Sequence, residues 1–224
     1  MNSEIKEKIK KSLVENKSKK YFFGDDFNVV KSKNSFIHYQ DELGEMILPQ
    51  PSLIGDHQIY NISTSIAASR KIFNISESNI KNSMKKMSLK GRLEEIKSGK
   101  LKNLVRNNRL ILDSSHNPGG SKVLNEYLQT LDCNKHVIIG MMANKNHEEY
   151  ISYFKNISSL TTVDIPNQPN AISGKELKEK FKYIPNVIYK ESIQKAIQSI
   201  KLKENDLLLI TGSLYLSGEF LNIN

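Results

Sequence analysis

The stretch LILDSSHNPGGSKVLNEYL, from Leu110 to Leu128, joins an apolar run to a helical pattern through a short polar turn. Asp113 ends the apolar run, and Pro118 suits the first turn of the helix that follows. A helix start offers unpaired backbone N–H groups and a partial positive charge, so this turn can hold an anion. The same residue types also make plain caps and turns. Alone, the stretch predicts a strand, a turn and a helix, and it leaves open whether the turn is a binding site.

The same alternation continues through the second half of the chain. Each apolar run reads as a buried strand and is followed by a helical stretch, which predicts an α/β fold with a parallel, doubly wound sheet. The predicted strands are Leu110–Leu112, His136–Gly140, Leu160–Val163, Val187–Tyr189 and Leu207–Thr211, and the helices start near Gly119, His147, Ser173, Ser192 and Ser213. Ligands of such sheets bind beyond the carboxyl ends of the strands, so the turns at 113–120, 141–146 and 212–213 should meet at one edge.

The first half of the chain has a different texture. Ile5, Ile9 and Leu13 predict a helix with one apolar stripe, and three short strands in a meander follow at 21–30, 34–40 and 45–53. Two helices come next, from His57 to Phe73 and over 76–87 with Ser76 as the N-cap. The polar, Gly-punctuated segment 89–103 is interpreted as a linker.

Composition limits the possible functions. The chain has 224 residues, 38% of them hydrophobic, and no apolar run approaches the roughly 20 residues of a membrane helix. The formal charge of +9 invites nucleic-acid binding, but only four residues are arginine, the favoured reader of base edges and phosphates. The single cysteine, Cys133, favours a reducing cytoplasm. These features predict one or two globular domains that bind neither nucleic acid nor a membrane.

Several further motifs have both a functional and a structural interpretation. ITGSLYLSGEF presents Gly212 and Ser213 at a strand end, either as a site or as a plain N-cap. KGRLEE places Arg92 beside a glycine, where a guanidinium can approach a phosphate. GDHQIYN can aim Asn61 at a base or sugar, or pair it with His57 as a cap. Lys145 is interpreted as a solvated loop charge, and the Met141–Met142 pair as packing.

Two motif types that would indicate catalysis are missing from the sequence. Asp25 and Asp26 in FGDDF resemble a metal pair, but a turn between two strands is the favoured interpretation. No cluster has metal-ligand spacing, and no G-x-x-x-x-G-K-[ST] phosphate-binding loop occurs. The sequence therefore predicts no metal site of its own.

Five ordered segments resemble folylpolyglutamate synthase / dihydrofolate synthase of the Mur ligase superfamily. The family patterns are approximately G-x-H-Q-x-x-N-A, P-G-R, D-x-A-H-N-P, G-x-x-x-D-K-D and G-S-L-Y-L-x-G. The matching segments are GDHQIYNISTSIAA, KGRLEEI, LILDSSHNPGGSKVL, IIGMMANKN and TGSLYLSGEFL. The resemblance implies a C-terminal Rossmann-like, mostly parallel glutamate-ligase domain over 97–224. Residues 1–96 would be the C-terminal portion of a Mur-type ATPase domain without its P-loop half.

The resemblance also implies a reaction. MgATP phosphorylates a carboxylate of dihydropteroate or a reduced folate, and the amino group of L-glutamate attacks the acyl phosphate to give an amide, ADP and phosphate. By the same resemblance Asn61 would contact the base, Arg92 the phosphates and Asp113 the ribose. His116, the catalytic candidate, and Ser213 would serve glutamate. The Mg²⁺ ligands would lie in the family's N-terminal half.

The departures from the family patterns set a second expectation. Lys90 replaces a proline, Ser115 an alanine and Asn144 an aspartate. Without the P-loop half the chain is expected to be inactive alone, as a truncated or split product complemented by an N-terminal polypeptide. The alternative is a non-catalytic nucleotide-binding partner or relic. A Mur ligase acting on another acid fits HNP and GSLYL less well. The strand-rich segment from Tyr21 to Leu53 is expected to expose apolar edges and to favour partner binding or aggregation.

Overall fold

The computed structural model describes residues 3–14, 19–32 and 35–224, and the chain divides into two compact units, Met1–Ser88 and Leu89–Asn224. The unit boundary therefore lies before the predicted domain boundary at 96/97. Among the described residues, no helix is long and apolar enough to cross a membrane.

The first unit contains the predicted meander. Strands β1 (Phe27–Lys31), β2 (Phe36–Asp41) and β3 (Gly44–Pro49) pair antiparallel in that order. Helices α2 (His57–Ile72) and α3 (Glu77–Lys86) follow, and the Ser76 side chain caps α3 by accepting from the Asn79 N–H. Alternate strand residues form a buried face that clusters with residues of both helices: Phe27, Val29, Ile37, Tyr39, Met46 and Leu48.

The strand residues that alternate with the buried ones are mostly exposed on the other face of this small sheet. Val30, Phe36 and Ile47 expose 60%, 44% and 53% of their surface. These side chains are exposed on a face of the sheet, Phe36 on its central strand, so the expectation of exposed apolar edges stays a prediction. Its consequence, partner binding or aggregation, stays a prediction.

Helix α1 (Ser3–Ser12) forms as predicted, but its apolar stripe is poorly covered, since Ile5 and Ile9 are 50% and 36% exposed. The helix instead contacts the turn before β1 through Lys6 and Lys10, which both pair with Asp25. Hydrogen bonds from Lys10 and Lys6 lower the pKa of the Asp25 carboxyl. FGDDF is thus a turn, as predicted, and no group of three or more metal-ligating side chains occurs among the described residues.

The second unit contains a six-stranded sheet in the order β4-β5-β9-β6-β7-β8, with β5 to β9 parallel and β4 antiparallel at the edge. All five predicted strands and the five predicted helix starts are confirmed. The strands are β4 (Glu94–Glu95), β5 (Arg109–Leu112), β6 (Lys135–Ile139), β7 (Ser159–Val163), β8 (Val187–Lys190) and β9 (Leu207–Thr211). The helices are α4 (Lys100–Val105), α5 (Pro118–Gln129), α6 (His147–Ser152), α7 (Gly174–Lys180), α8 (Ile193–Ser199) and α9 (Leu214–Ile223).

Two hydrophobic layers cover this sheet. Successive strand residues point to opposite faces, so Leu207 and Leu209 pack with α5, α6 and α7, whereas Leu208 and Ile210 pack with α4, α8 and α9. Burial on both faces explains why the inner strands β5, β6, β7 and β9 read as largely apolar runs in the sequence.

The linker interpretation of residues 89–103 is wrong. Glu94 and Glu95 pair with Leu112 and Ile111 as β4, and Leu93, Ile96 and Leu101 are buried in the second unit. The helix α4 begins within the segment, and the Asn224 side chain accepts from the Lys102 N–H there. The segment is polar in sequence, yet its few apolar residues are enough to fix it to the sheet.

Two adjacent threonines of β7 allow a test of the packing. The Thr162 hydroxyl donates to the Gly174 carbonyl at 2.7 Å, whereas no described residue offers the fully buried Thr161 hydroxyl a hydrogen bond. We expect Thr161→Val to leave the free energy of unfolding unchanged or to raise it by up to about 1 kcal/mol, and Thr162→Val to lower it by about 1–2 kcal/mol. Urea denaturation of the two variants measures both values. Equal losses would show that the Thr161 hydroxyl has a partner.

Candidate functional site

A pocket of about 650 Å³ lies at the carboxyl edge of the parallel sheet in the second unit. It is formed by the loops that follow β5, β6, β7 and β9, so the edge predicted from topology is where the structure has a cavity. Its lining residues are His116, Met142, Ala143, Asn144, Lys145, Pro169, Asn170, Ser213, Leu214 and Tyr215.

His116 reaches the pocket from the turn between β5 and α5. Its Nδ1 lies 3.1 Å from the Ser114 carbonyl oxygen. Because a carbonyl oxygen only accepts, Nδ1 carries the proton, and Nε2 keeps a lone pair when the ring is neutral. The next residue, Asn117, caps α5 by accepting from the Gly120 N–H at 2.8 Å, with Pro118 in the first turn as predicted. The turn is therefore a cap that also orients a histidine.

Ser213 reaches the same pocket from the turn between β9 and α9. Its Oγ accepts from the Tyr215 N–H at 3.1 Å and so caps α9, which confirms the structural interpretation of this serine. The hydroxyl proton is not needed for the cap and remains able to donate to a ligand. The preceding Gly212 has φ +108°, in the left-handed region that favours glycine. The structure thus brings His116 and Ser213 together, as their positions at neighbouring strand ends required.

Lys145 is the lining residue that the sequence interpretation missed. It follows β6 in a loop fixed by backbone bonds, from Ala143 N–H to the Asn170 carbonyl at 2.9 Å and from Lys145 N–H to the Met142 carbonyl at 3.3 Å. The described lining residues include Lys145 and His116 and no Asp or Glu. With the first turn of α9 at its wall, the pocket suits an anionic ligand. Met141 is buried in the core, whereas Met142 lines the pocket.

Asp113 lies behind the pocket rather than on its lining. The carboxylate is buried, and its Oδ2 accepts from the Leu93 N–H and its Oδ1 from the Ser115 N–H, each at 2.9 Å. Asp113 therefore ties the turn that contains Arg92 to the turn that contains His116. A role toward a ribose stays a prediction.

Arg92 lies on a tight turn against the end of β5. Its neighbours Gly91 and Leu93 have φ of +65° and +48°, and Ser114 N–H donates to the Gly91 carbonyl at 2.7 Å. A Cβ on Gly91 would come within 2.3 Å of the Ser114 Oγ, which explains the glycine of the KGR motif. The backbone around Arg92 is thus fixed, and the residue as a whole is half-buried.

Asn61 belongs to the first unit, in the second turn of α2. Its amide donates to the Gln58 Oε1 at 3.1 Å, and the Gln58 Nε2 lies 2.9 Å from the His57 Nε2. Gln58 thus contacts both side chains, and the alternative of a His57–Asn61 capping pair stays a prediction. The base-binding role of Asn61 stays a prediction.

The family model described as "Mur ligase, glutamate ligase domain" matches residues 91–214 of this chain. This match covers the whole parallel sheet up to the first residue of α9. No curated protein matches the chain significantly in sequence.

Solved structures of folylpolyglutamate synthases share the fold. An E. coli FolC structure in complex with DHPP and ADP has a TM-score of 0.73 at 20% identity, over 90% of this chain and 46% of that chain. The Thermotoga maritima folylpolyglutamate synthase has a TM-score of 0.71 at 24% identity, over 100% of this chain and 54% of that chain. A bifunctional folylpolyglutamate synthase/dihydrofolate synthase with Mn, AMPPNP and L-glutamate bound has a TM-score of 0.74 at 15% identity, over 96% of this chain and 50% of that chain. The chain thus spans about half the length of these structures.

Proposed function

The chain belongs to the Mur ligase family through its glutamate ligase domain, and from this premise we propose that its second unit binds L-glutamate for an ATP-dependent amide ligase. The enzyme would be of the folylpolyglutamate/dihydrofolate synthase kind and would add glutamate to dihydropteroate or a reduced folate. The observation that carries the proposal is that His116, Lys145 and Ser213 line the same pocket.

These side chains suit two parts of glutamate, a carboxylate and the ammonium group. The Lys145 ammonium and the first turn of α9 would bind a carboxylate, and the Ser213 hydroxyl proton would donate to it. The neutral His116 ring offers its Nε2 lone pair to the glutamate ammonium group, which must lose a proton before its nitrogen can attack an acyl phosphate. His116 is therefore the proposed general base.

The proposed nucleotide contacts are Arg92, Asp113 and Asn61. Arg92, on its fixed turn, suits a phosphate, because the planar guanidinium can donate two parallel hydrogen bonds to the phosphate oxygens. Asp113 is 5% exposed and each of its oxygens already accepts one backbone N–H group, so a ribose would have to reach the remaining lone pairs of a buried carboxylate. The nucleotides bound in the E. coli and bifunctional relatives support ATP as the cosubstrate of this chain.

The described residues do not fit a catalytic Mg²⁺ site, since no group of three or more His, Cys, Asp or Glu occurs among them. The sequence also has no G-x-x-x-x-G-K-[ST] motif. We therefore assign phosphoryl transfer to residues outside these 224, in a complementing polypeptide segment that carries the P-loop. A cytoplasmic setting fits the single, free Cys133.

The test combines binding with turnover. We expect the full chain to bind L-glutamate by isothermal titration calorimetry and to lose about tenfold or more in affinity in His116→Ala, through the lost charged hydrogen bond. In a second assay, labelled L-glutamate is supplied with MgATP and dihydropteroate or tetrahydrofolate. The chain alone should form no labelled amide product. Addition of the P-loop segment of a folylpolyglutamate synthase should give that product.

Two results would contradict this proposal. Turnover by the chain alone would show that phosphoryl transfer does not require residues from elsewhere. Tight ADP binding that Asp113→Ala abolishes, without any glutamate binding, would favour the alternative of a non-catalytic nucleotide-binding partner.

A further inference from the structure

One buried hydroxyl group connects three of the loops that form the pocket. Tyr150 lies in α6, immediately after the loop that contains Lys145, and its side chain is fully buried. Its phenolic oxygen donates to the Ser115 carbonyl oxygen at 3.1 Å and lies 2.9 Å from the Thr211 Oγ1. The Ser115 carbonyl belongs to the peptide that leads into His116, and Thr211 comes two residues before Ser213.

The hydrogen-bonding capacity of this hydroxyl is fully used. A phenol donates one hydrogen bond and accepts up to two, and the Ser115 and Thr211 hydroxyl groups, at 3.1 and 2.9 Å, are the two remaining partners. Burial raises the pKa of Tyr150 above its ordinary value, so the proton stays on the oxygen at physiological pH. The phenol therefore keeps a proton to donate, and the Ser115 carbonyl oxygen, which only accepts, is one partner that can take it.

Ser115 strengthens the link in this chain in particular. The family pattern has alanine at this position, and a methyl group has no hydrogen bond to offer the phenol. Here the Ser115 side chain bonds to Tyr150, and the neighbouring Ser121 hydroxyl donates to the Tyr150 carbonyl from α5. Helix α6 is thus fixed to the β5 and β9 turns by side-chain hydroxyl groups as well as by packing.

We propose that Tyr150 is a positioning residue of the amino-acid pocket, whose hydroxyl group fixes the His116 turn relative to the Ser213 turn. The effect on glutamate rests on the proposed function, whereas the effect on the His116 ring does not. Tyr150 touches no substrate in this arrangement and acts through the two turns that it connects.

The test is Tyr150→Phe in the full chain, which removes the hydroxyl and keeps the ring in the core. Tyr153→Phe is the matched control, because Tyr153 lies one turn later and its hydroxyl makes no hydrogen bond to a described residue. Histidine ¹⁵N spectra report the His116 tautomer, and calorimetry reports the affinity for L-glutamate.

We expect Tyr153→Phe to match the wild type in both measurements. In Tyr150→Phe the His116 ring should change from one tautomer to a mixture, and the affinity for L-glutamate should fall about fivefold, because the Ser115 carbonyl and the Ser115 and Thr211 hydroxyl groups lose their bonds to the phenol. Thr211→Val, which leaves the Ser115 carbonyl bond in place, should lower the affinity without changing the tautomer. This second variant decides the question if Tyr150→Phe does not fold.

A single His116 tautomer in Tyr150→Phe with an affinity within twofold of the wild type would overturn the proposal, and so would an unchanged affinity in Thr211→Val. If the wild-type chain binds no glutamate, the proposed function fails. The tautomer measurement then decides the positioning role alone.

Discussion

Replacing Gly212 with alanine should lower the free energy of unfolding of the second unit by about 3 kcal/mol or more. Gly212 has φ +108°, and a Cβ there would lie 2.8 Å from both the Gly140 carbonyl oxygen and the Ile139 Cγ1. The left-handed backbone costs an alanine about 1 kcal/mol. The clash adds more, because its partner is a backbone oxygen of the central sheet that has no room to move.

Gly218→Ala is the matched control for this substitution. Gly218 lies six residues later in α9, and an added Cβ would meet nothing within 4 Å. Alanine at this exposed helical position should raise stability by about 0.5–1 kcal/mol. Amide hydrogen exchange of β6 and β9 peptides measures both effects within the second unit. A Gly212→Ala variant as stable as the wild type would contradict the conformation of this turn.

Lys145→Glu should lower the affinity for L-glutamate about 30-fold or more, since a charged hydrogen bond contributes about 2 kcal/mol and the new carboxylate also repels the ligand. Lys145 is the only lysine or arginine among the described lining residues, so no second such cation compensates for the loss. Calorimetry at two ionic strengths measures the effect, and the wild-type affinity should fall with added salt.

Lys201→Glu controls for the change in overall charge. Lys201 is exposed and lies in the loop before β9, at the opposite edge of the sheet from the pocket. This variant should bind L-glutamate within about twofold of the wild type, because its charge is distant and screened. Equal affinities of Lys145→Glu and the wild type would rule out this pocket as the glutamate site.

The sheet of the second unit was predictable because its signals are local. Leu207–Thr211 is an uninterrupted apolar run, and Ser173, Ser192 and Ser213 each cap the helix that follows with their own side chain. Burial on both faces and a capping serine need no information from distant residues. The strand β4 and the helix α4 were missed within the polar segment 89–103. The strand β4 consists of two glutamates without apolar alternation, and its position depends on pairing with β5.

The candidate site was predictable to the extent that topology determines it. His116 and Ser213 follow parallel strands, so their proximity follows from the sheet. Lys145 has no local signal that separates it from any solvated lysine. The contact between Asp113 and the Leu93 N–H joins residues 20 positions apart, which no motif spacing reveals. Such long-range contacts decide whether a motif residue contacts a ligand itself or positions another residue that does.

The place of β9 in the sheet has a consequence for how the protein is made. β9 pairs with β5 on one side and β6 on the other, although both of these strands precede it in the chain. As the polypeptide leaves the ribosome, the inner edges of β5 and β6 must therefore stay unpaired until Leu207–Thr211 emerges between them. Non-local pairing of this kind slows folding and leaves folding intermediates that are prone to aggregation. The turn that contains Ser213 can therefore take its place at the pocket only after β9 has paired between β5 and β6.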